Sequence, residues 1–292
     1  MRALMLMTAM VLSPFASAAT LHFKIVKRNA AQGDVVVIQR IDRFRRPFRV
    51  RFLDREYRSF IFRNRQTVFL GIPYQLKPGP YIASAVCAMA RKMTSSVPIP
   101  IRVRQKYPRL PYKPPKRSPA EQQRINHEVA ENHIALRHTD LHLSVMKEFT
   151  WPMRPVVVTS KFGERRCRDR RGRHFFNCRY HLGTDYRAAF DRYHQDPVPI
   201  HAINDGVVLS TASHVIDGHI VIVDHGNGIS AEYLHFSKTL VVPGEYVRRG
   251  QVIGIAGKTG DSDAVHLHLT IKMDHGRTII DPQRFLLKVA HH

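Results

Sequence analysis

Histidine and aspartate side chains recur at short spacings in the second half of this 292-residue chain. His181 precedes Asp185 by four positions, and His266 and His268 form an H-x-H segment that continues into apolar and β-branched residues. His235 closes another strand-like stretch. Because side chains alternate between the two faces of a strand, both histidines of the H-x-H should project to one side. The leucines that follow each of them should then enter a core.

These side chains are of the types that bind zinc. His181 offers an imidazole nitrogen, Asp185 offers a carboxylate oxygen, and one histidine of the H-x-H would complete a set of three protein ligands. Three ligands leave the fourth tetrahedral position to water, whose pKa zinc lowers to about 7. The sequence has no H-E-x-x-H segment with a glutamate base, so the remaining histidines of these segments are the candidates for proton transfer.

The histidine segments belong to a longer ordered series of short motifs. In chain order the pieces are Thr159-Ser160-Lys161-Phe162-Gly163, His181-Leu182-Gly183-Thr184-Asp185, Asn204-Asp205-Gly206-Val207-Val208, Asp224-His225-Gly226-Asn227-Gly228, Tyr233-Leu234-His235, Gly250-Gln251-Val252-Ile253-Gly254, Gly257-Lys258-Thr259-Gly260, His266-Leu267-His268 and Asp281-Pro282. This series, from about Trp151 to Phe285, resembles the lysostaphin/LytM-type zinc metallopeptidases, which hydrolyse peptide bonds in peptidoglycan.

The resemblance implies a division of roles among five residues. His181, Asp185 and His268 would bind one zinc ion, while His235 and His266 would be the catalytic histidines that stay off the metal. All five positions carry the residue that the family's chemistry requires, whereas some relatives have lost ligands and only activate other wall hydrolases. The implied function is a zinc metallo-endopeptidase that cuts peptide cross-links of peptidoglycan. The alternative is a non-hydrolytic wall-binding or amidase-activating module.

The first residues have the pattern of a signal peptide, which we assign to residues 1–18. Arg2 supplies the positive charge, Ala3 to Leu12 form the apolar region, and Ala16-Ser17-Ala18 fits the cleavage site. The apolar run is shorter than the roughly 20 residues that span a bilayer. We therefore expect an exported protein, periplasmic or secreted, without stable membrane insertion.

The chain is strongly basic, with a formal net charge of +23. Such an excess predicts attraction to a polyanion. Because export argues against nucleic acid, the expected partners are peptidoglycan and other anionic envelope polymers, and a plainly solvated basic surface is the alternative.

Export also permits disulfides. Cys167 and Cys178 are eleven residues apart and flank an arginine-dense loop, so we expect a bridge between them. Cys87 lies in an apolar stretch and is expected to be a buried free thiol. The loop between the paired cysteines is interpreted as a substrate-facing or wall-binding segment.

The first part of the chain, residues 20–112, is basic and β-rich. Short alternating or β-branched runs separated by turn residues predict a small sandwich-like domain. The prolines of the run Pro98-Ile99-Pro100-Ile101 favour an edge strand, because proline cannot donate to a central ladder.

Residues 113–150 are predicted to form a proline-rich linker and a helix. Ser118-Pro119-Ala120-Glu121 is a capping box that should start the helix at about 119, and we expect it to run toward 147. Histidines recur along this segment, and we interpret them as a polar helix face rather than a metal site; they are His127, His133, His138 and His142.

From residue 151 to 292 the sequence predicts an all-β catalytic domain with an antiparallel sheet and no long helix before the last residues. The expected fold class is therefore mainly β: an N-terminal sandwich, a helical linker and a C-terminal metallopeptidase domain. The domain layout resembles that of Gram-negative envelope members of the family, which favours a D,D-endopeptidase. His225, in a glycine-bounded turn, is expected to have a structural hydrogen-bonding role.

Overall fold

The computed structural model describes residues 23–26, 29–41, 46–89, 93–104, 109–111, 115–137, 143, 145–170, 174–188 and 197–290. The predicted signal peptide lies outside these residues, as do His138, His142 and the side chain of Cys87. Within the described part the elements are β1 Phe23–Val26, β2 Asn29–Ala31, β3 Val35–Arg40, β4 Arg49–Phe52, β5 Arg55–Arg58, β6 Phe60–Phe62, β7 Arg65–Gly71, β8 Gly79–Met89, β9 Met93–Arg104, β10 Arg109–Pro111, α1 Pro119–Arg137, β11 Val156–Ser160, β12 Arg165–Arg170, β13 His174–Tyr180, β14 Thr184–Ala188, β15 Pro199–His201, β16 Gly206–His214, β17 Gly218–Asp224, β18 Ser230–Thr239, β19 Tyr246–Val247, β20 Val252–Ala256, β21 Leu267–Met273, β22 Thr278–Ile280 and α2 Pro282–Val289.

The first strands form a two-sheet sandwich. One sheet has the order β1-β3-β7-β6 and the other the order β2-β9-β8-β4-β5. The apolar cluster between them includes Ile38, Leu70, Phe52 and Ile101, all buried. In β4 the alternation of arginine with Val50 and Phe52 becomes an alternation of exposed and buried side chains. The predicted sandwich is confirmed, while the predicted domain boundaries stay predictions.

The proline-containing strand β9 lies as its sequence predicts. Pro98 and Pro100 pair with β8 on one side, and β2 joins the other side of β9 only at Arg102–Arg104. In the described residues, the prolines therefore face an edge that has no neighbouring strand, where the missing N–H costs no ladder hydrogen bond.

Helix α1 begins where its capping box predicts. A carboxylate oxygen of Glu121 accepts hydrogen bonds from the Ser118 N–H at 2.8 Å and from its hydroxyl at 2.9 Å, and the Glu121 N–H donates back to the Ser118 hydroxyl oxygen at 3.2 Å. The expected extension toward residue 147 is wrong, because α1 ends at Arg137. The Met146 N–H instead donates to the Ile61 carbonyl, and Met146 and Phe149 are buried in the core. Tertiary packing of these two side chains outweighs helix propensity there.

The second half folds around a large antiparallel sheet with the main order β11-β14-β21-β18-β17-β16-β19. Strands β20 and β22 extend it by pairing with β18 and β21, and β15 pairs with β20. Helix α2 follows β22, and its N-cap is Asp281, whose side chain accepts a hydrogen bond from the Arg284 N–H. The predicted mainly β fold with an antiparallel C-terminal sheet is confirmed. No helix among the described residues is long and apolar enough to cross a membrane.

Candidate metal centre and cleft

Three predicted site residues meet at the centre of this sheet. Asp185 on β14 is the cross-strand partner of His268 on β21, and His181 lies in the loop that leads into β14. The His268 Nδ1 and Asp185 Oδ1 atoms are 2.8 Å apart, and His181 Nε2 lies 3.1 Å from each of them. Two adjacent strands and one loop therefore place three potential ligand atoms within one coordination sphere.

The hydrogen bonds of the His181 and His268 rings leave one unprotonated nitrogen on each ring that can bind a cation. The Lys161 carbonyl oxygen, which can only accept, lies 2.9 Å from His181 Nδ1, so this nitrogen carries the proton and the Nε2 of the neutral ring carries a lone pair. His268 Nε2 lies 3.1 Å from the Thr270 hydroxyl oxygen, which can accept a hydrogen bond from Nε2–H. Nδ1 of the neutral ring is then unprotonated. Two ring lone pairs and the Asp185 carboxylate then face one another, an arrangement that a bound metal ion stabilises.

Burial and charge act on the protonation of Asp185 and His268. Burial raises the pKa of Asp185, but hydrogen bonds and charges from His181 and His268, when these rings are protonated, outweigh it and hold the pKa well below its usual range. Burial lowers the pKa of His268, which favours the neutral ring. The donor set of two imidazoles and one carboxylate is one that zinc accepts.

Gly183 makes this close packing possible. A Cβ atom at this position would lie 2.2 Å from His268 Nε2 and 2.6 Å from the Leu269 carbonyl oxygen. Any side chain here would push the His268 ring away from Asp185 and His181, so the glycine of the H-x-x-x-D segment is a steric requirement of the site.

His235 and His266 form a second pair beside the first three side chains. Their ring centroids are 4.8 Å apart, and the His235 ring is 6.0 Å from that of His268. His235 Nδ1 donates to the Thr259 carbonyl oxygen at 2.9 Å, while His266 Nδ1 lies 2.9 Å from the Ala264 carbonyl oxygen. Each neutral ring therefore keeps an unprotonated Nε2, and the Nε2 of His266 is 3.7 Å from Asp185 Oδ1.

The backbone of His235 is strained in a way that serves this placement. Its φ is 66°, in the left-handed region, and it sits where the pairing of β17 with β18 shifts register. Bulges re-aim side chains at functional sites, and a non-glycine residue in this conformation persists only when its surroundings hold it. Burial, together with the neighbouring His268 and His266, lowers the pKa of His235 to about 4.

All five predicted residues line one cleft of about 1150 Å³. The sequence did not identify the groups that orient the rings, which are the Lys161, Thr259 and Ala264 carbonyls and the Thr270 hydroxyl. Thr270 alone carried a signal, because it lies two positions after His268 on the same strand face. The disulfide between Cys167 and Cys178 is present as predicted, and it links β12 to β13 at the edge of the cleft.

Comparisons with known proteins find relatives of the second half of the chain. Residues 179–282 match the family described as Peptidase family M23. The peptidoglycan DD-endopeptidase ShyA of Vibrio cholerae is 41% identical over 88 residues, which are 30% of this chain and 19% of ShyA. ShyC of the same organism is 37% identical over 111 residues, 38% of this chain and 23% of ShyC. The matched segments thus span about a fifth of these relatives.

A solved structure covers more of the chain. The crystal structure of a Pseudomonas aeruginosa protein, provisionally assigned to peptidase M23, has a TM-score of 0.63 at 25% identity. The match covers 88% of this chain and 94% of that one. The likeness therefore extends beyond the sheet that holds the histidines to the N-terminal strands.

Proposed function

Because residues 179–282 match Peptidase family M23, we propose that this protein is an exported zinc metallo-endopeptidase that hydrolyses peptide cross-links of peptidoglycan. The single observation that carries the proposal is the convergence of His181 Nε2, Asp185 Oδ1 and His268 Nδ1 in an open cleft. Two matched relatives are named peptidoglycan DD-endopeptidases, which supports a D,D cross-link as the bond. The anionic wall and other anionic envelope polymers are the partners that the basic surface favours.

In this proposal His181, Asp185 and His268 hold one zinc ion. When bound, zinc lowers the pKa of a water molecule and polarises a carbonyl group. His235 and His266 then act from the side of the cleft through Nε2. A neutral ring can accept the proton that the attacking water loses and return it to the leaving amine. Once protonated, either ring can donate a hydrogen bond to the negative charge that develops on the scissile carbonyl oxygen.

The fixed Nδ1 protons make this role specific. Because Thr259 and Ala264 carbonyls hold the Nδ1 protons of His235 and His266, the nitrogen available to substrate is the same in every turnover. The lowered pKa of His235 keeps the ring neutral at neutral pH, as a proton acceptor requires. The presence of all five side chains supports hydrolysis over a binding-only or amidase-activating module.

The test is digestion of isolated sacculi by the purified protein with added zinc. We expect soluble muropeptide fragments, and mass spectrometry of defined cross-linked dimers should identify a D,D bond as the one cleaved. The His266→Ala variant is the matched control and should release none. Absence of fragments with the zinc-loaded wild-type protein would overturn the proposal, and cleavage of a different bond would overturn its D,D assignment.

A further inference from the structure

Two arginines face each other on the wall of the cleft. Arg166 on β12 and Arg179 on β13 are direct cross-strand partners, and both line the cavity that holds the histidines. Like charges at directly opposed positions destabilise a strand pair. The hairpin therefore keeps, beside the metal centre, a pairing that folding alone would not favour.

Neighbouring groups neutralise this pair only in part. An Arg166 Nη2 atom donates to the Ser160 hydroxyl at 3.2 Å and lies 3.6 Å from Asp185 Oδ2, and the side chain stays 37% exposed. Arg179 is exposed and forms no ion pair with any described residue. Arg187 follows Asp185 by two positions on β14, is also exposed and lines the same wall. Among the described residues, Asp185 is therefore the one carboxylate that pairs with the three guanidinium groups of this wall.

The other side of the cleft carries both acidic and basic side chains. In the main sheet β21 separates β14 from β18 and β17, and the acidic lining residues other than Asp185 lie on that far side. Asp217 is in the turn between β16 and β17, whereas Asp261 and Asp263 are in the loop before β21. Arg117 neutralises Asp261 at 2.9 Å. Lys116 also lines the cleft, so charges of both signs nearly balance on that side, and an acidic group of a bound peptide is attracted to the hairpin side.

The hairpin is also braced. The Cys167–Cys178 disulfide lies next to both Arg166 and Arg179 in sequence, and β10 adds a third, parallel strand at Arg165–Cys167. Side chains held in advance lose less entropy when they bind a ligand. Two arginines on directly paired, braced strands suit a carboxylate, which their guanidinium groups can bind through paired hydrogen bonds.

We infer that Arg166 and Arg179 form a subsite for a carboxylate of an acidic peptide substrate, adjacent to the scissile bond. The inference rests on the proposed peptidase function. Because the two arginines lie inside the cleft and Arg166 contacts Asp185, the carboxylate that they bind should belong to the substrate that reacts there. Arg187 lies on the same wall and adds to the local positive potential.

The test uses two synthetic cross-linked peptides that differ only in whether the carboxyl groups beside the scissile bond are free or are carboxamides. Wild-type protein should favour the free acid by about 10- to 100-fold in kcat/KM, mainly through KM, because a charge-assisted hydrogen-bond pair is lost in the amide. Arg179→Gln should abolish the preference, and Arg179→Lys should retain part of it. Arg248→Gln removes the same charge from an exposed position outside the cleft and should leave the preference unchanged.

A binding measurement separates failure of this inference from failure of the proposed function. In the His266→Ala background, calorimetry should show tighter binding of the free-acid peptide than of the amide, and Arg179→Gln should remove the difference while zinc content stays the same. If wild-type protein cleaves neither peptide, the proposed function fails. The calorimetric comparison of the two peptides then decides on its own whether the arginines form a carboxylate subsite. Equal use of both peptides by wild-type protein, or an unchanged preference in Arg179→Gln, would overturn the inference.

Discussion

At the scale of single residues, the site depends on which ring nitrogen carries a proton. His181 and His235 both donate Nδ1–H to backbone carbonyls, which leaves the opposite nitrogen free for the metal or substrate of the proposed function. His268 uses the reverse arrangement, with Nε2 at Thr270 and Nδ1 toward Asp185. Similar side chains thus take different roles because different neighbours orient them.

This distinction predicts two separable mutants. His181→Ala should lower zinc affinity by more than about 100-fold, since loss of a direct ligand should exceed the 10- to 100-fold effect of losing an outer partner. His266→Ala should keep zinc yet lower kcat by about 100-fold or more, as expected for a group that transfers protons. Zinc content after dialysis and turnover of a defined dimer measure the two effects. Loss of zinc in His266→Ala would contradict the assignment.

His225 predicts a pH dependence of stability. Burial lowers its pKa to about 4, and Nδ1 donates to the Asp205 carbonyl oxygen. Because the unfolded ring takes up a proton near pH 6.5 and the folded ring does not, its contribution is complete above about pH 6.5. It is lost as the pH falls toward 4, by about 3 kcal/mol in total. Urea unfolding of metal-free protein at pH 7.5 and pH 5 measures this loss.

The matched variant is His225→Asn, which keeps a donor at the place of Nδ1 but does not titrate. Its free energy of unfolding should fall less between the two pH values than that of the wild-type protein, by about 2 kcal/mol. His235 and His268, whose pKa values are also lowered, are common to both proteins and cancel in the comparison. An identical pH dependence would show that His225 is not the group responsible.

Much of the site was predictable from the sequence, because strand periodicity determines which side chains share a face. The period of two placed His266 and His268 on one face, residue type marked His181 and Asp185 as ligands, and the resemblance to a known family assigned the roles of all five residues, His235 included. The strained backbone of His235 and the opposition of Arg166 to Arg179 depend on register shifts and on pairing between strands. Such information is non-local, so spacing along the chain does not contain it.

At the scale of elements, β12 and β13 form an arm that the main sheet does not include. They pair with each other and with β10, and the Cys167–Cys178 disulfide joins them across an eleven-residue separation. Short sheets of this kind have little core of their own, so a covalent link has a large share in their stability.

Removal of the disulfide should lower the local stability of β12 and β13 without lowering zinc binding. The double variant Cys167→Ala, Cys178→Ala should lower the local stability of β12 and β13 by about 2–3 kcal/mol, as expected for a loop of this size. Hydrogen exchange of the two strands measures the change, and zinc content should be unaffected. Dithiothreitol should have the same effect on wild-type protein and none on the double variant. Unchanged exchange in the double variant would show that strand pairing alone holds the arm.

The elements differ in how far the sequence determined them. The start of α1 was predictable because Ser118 and Glu121 satisfy its free N–H groups locally. Its end was not, because Met146 and Phe149 leave the helical pattern to fill a core made by distant strands. The sheet order, likewise, depends on contacts between residues far apart in the chain.

At the scale of the whole molecule, the sheet β1-β3-β7-β6 packs against a different apolar core on each of its two faces. Along β3, Val36 and Ile38 face the N-terminal sandwich, while Val35 and Val37 belong to the core of the C-terminal sheet. Phe69 continues this second face and contacts Phe285 of α2, with ring centroids 5.7 Å apart. The N-terminal strands are therefore packed against the peptidase domain through a shared apolar layer.

A buried ion pair crosses the same boundary and predicts how strongly the two halves depend on each other. Asp34 is fully buried, and Lys288 of α2 donates to its Oδ1 at 2.6 Å. Asp34→Asn removes the carboxylate that Lys288 shares with Arg284, whose Nη1 lies 3.8 Å from Oδ2, and should lower the free energy of unfolding by about 3–5 kcal/mol, measured by urea denaturation. The double variant Asp34→Asn, Lys288→Met should recover much of this loss.

Glu56→Gln removes an exposed carboxylate and should cost less than about 1 kcal/mol. Equal losses for Asp34→Asn and Glu56→Gln would mean that this ion pair contributes little to joining the two halves.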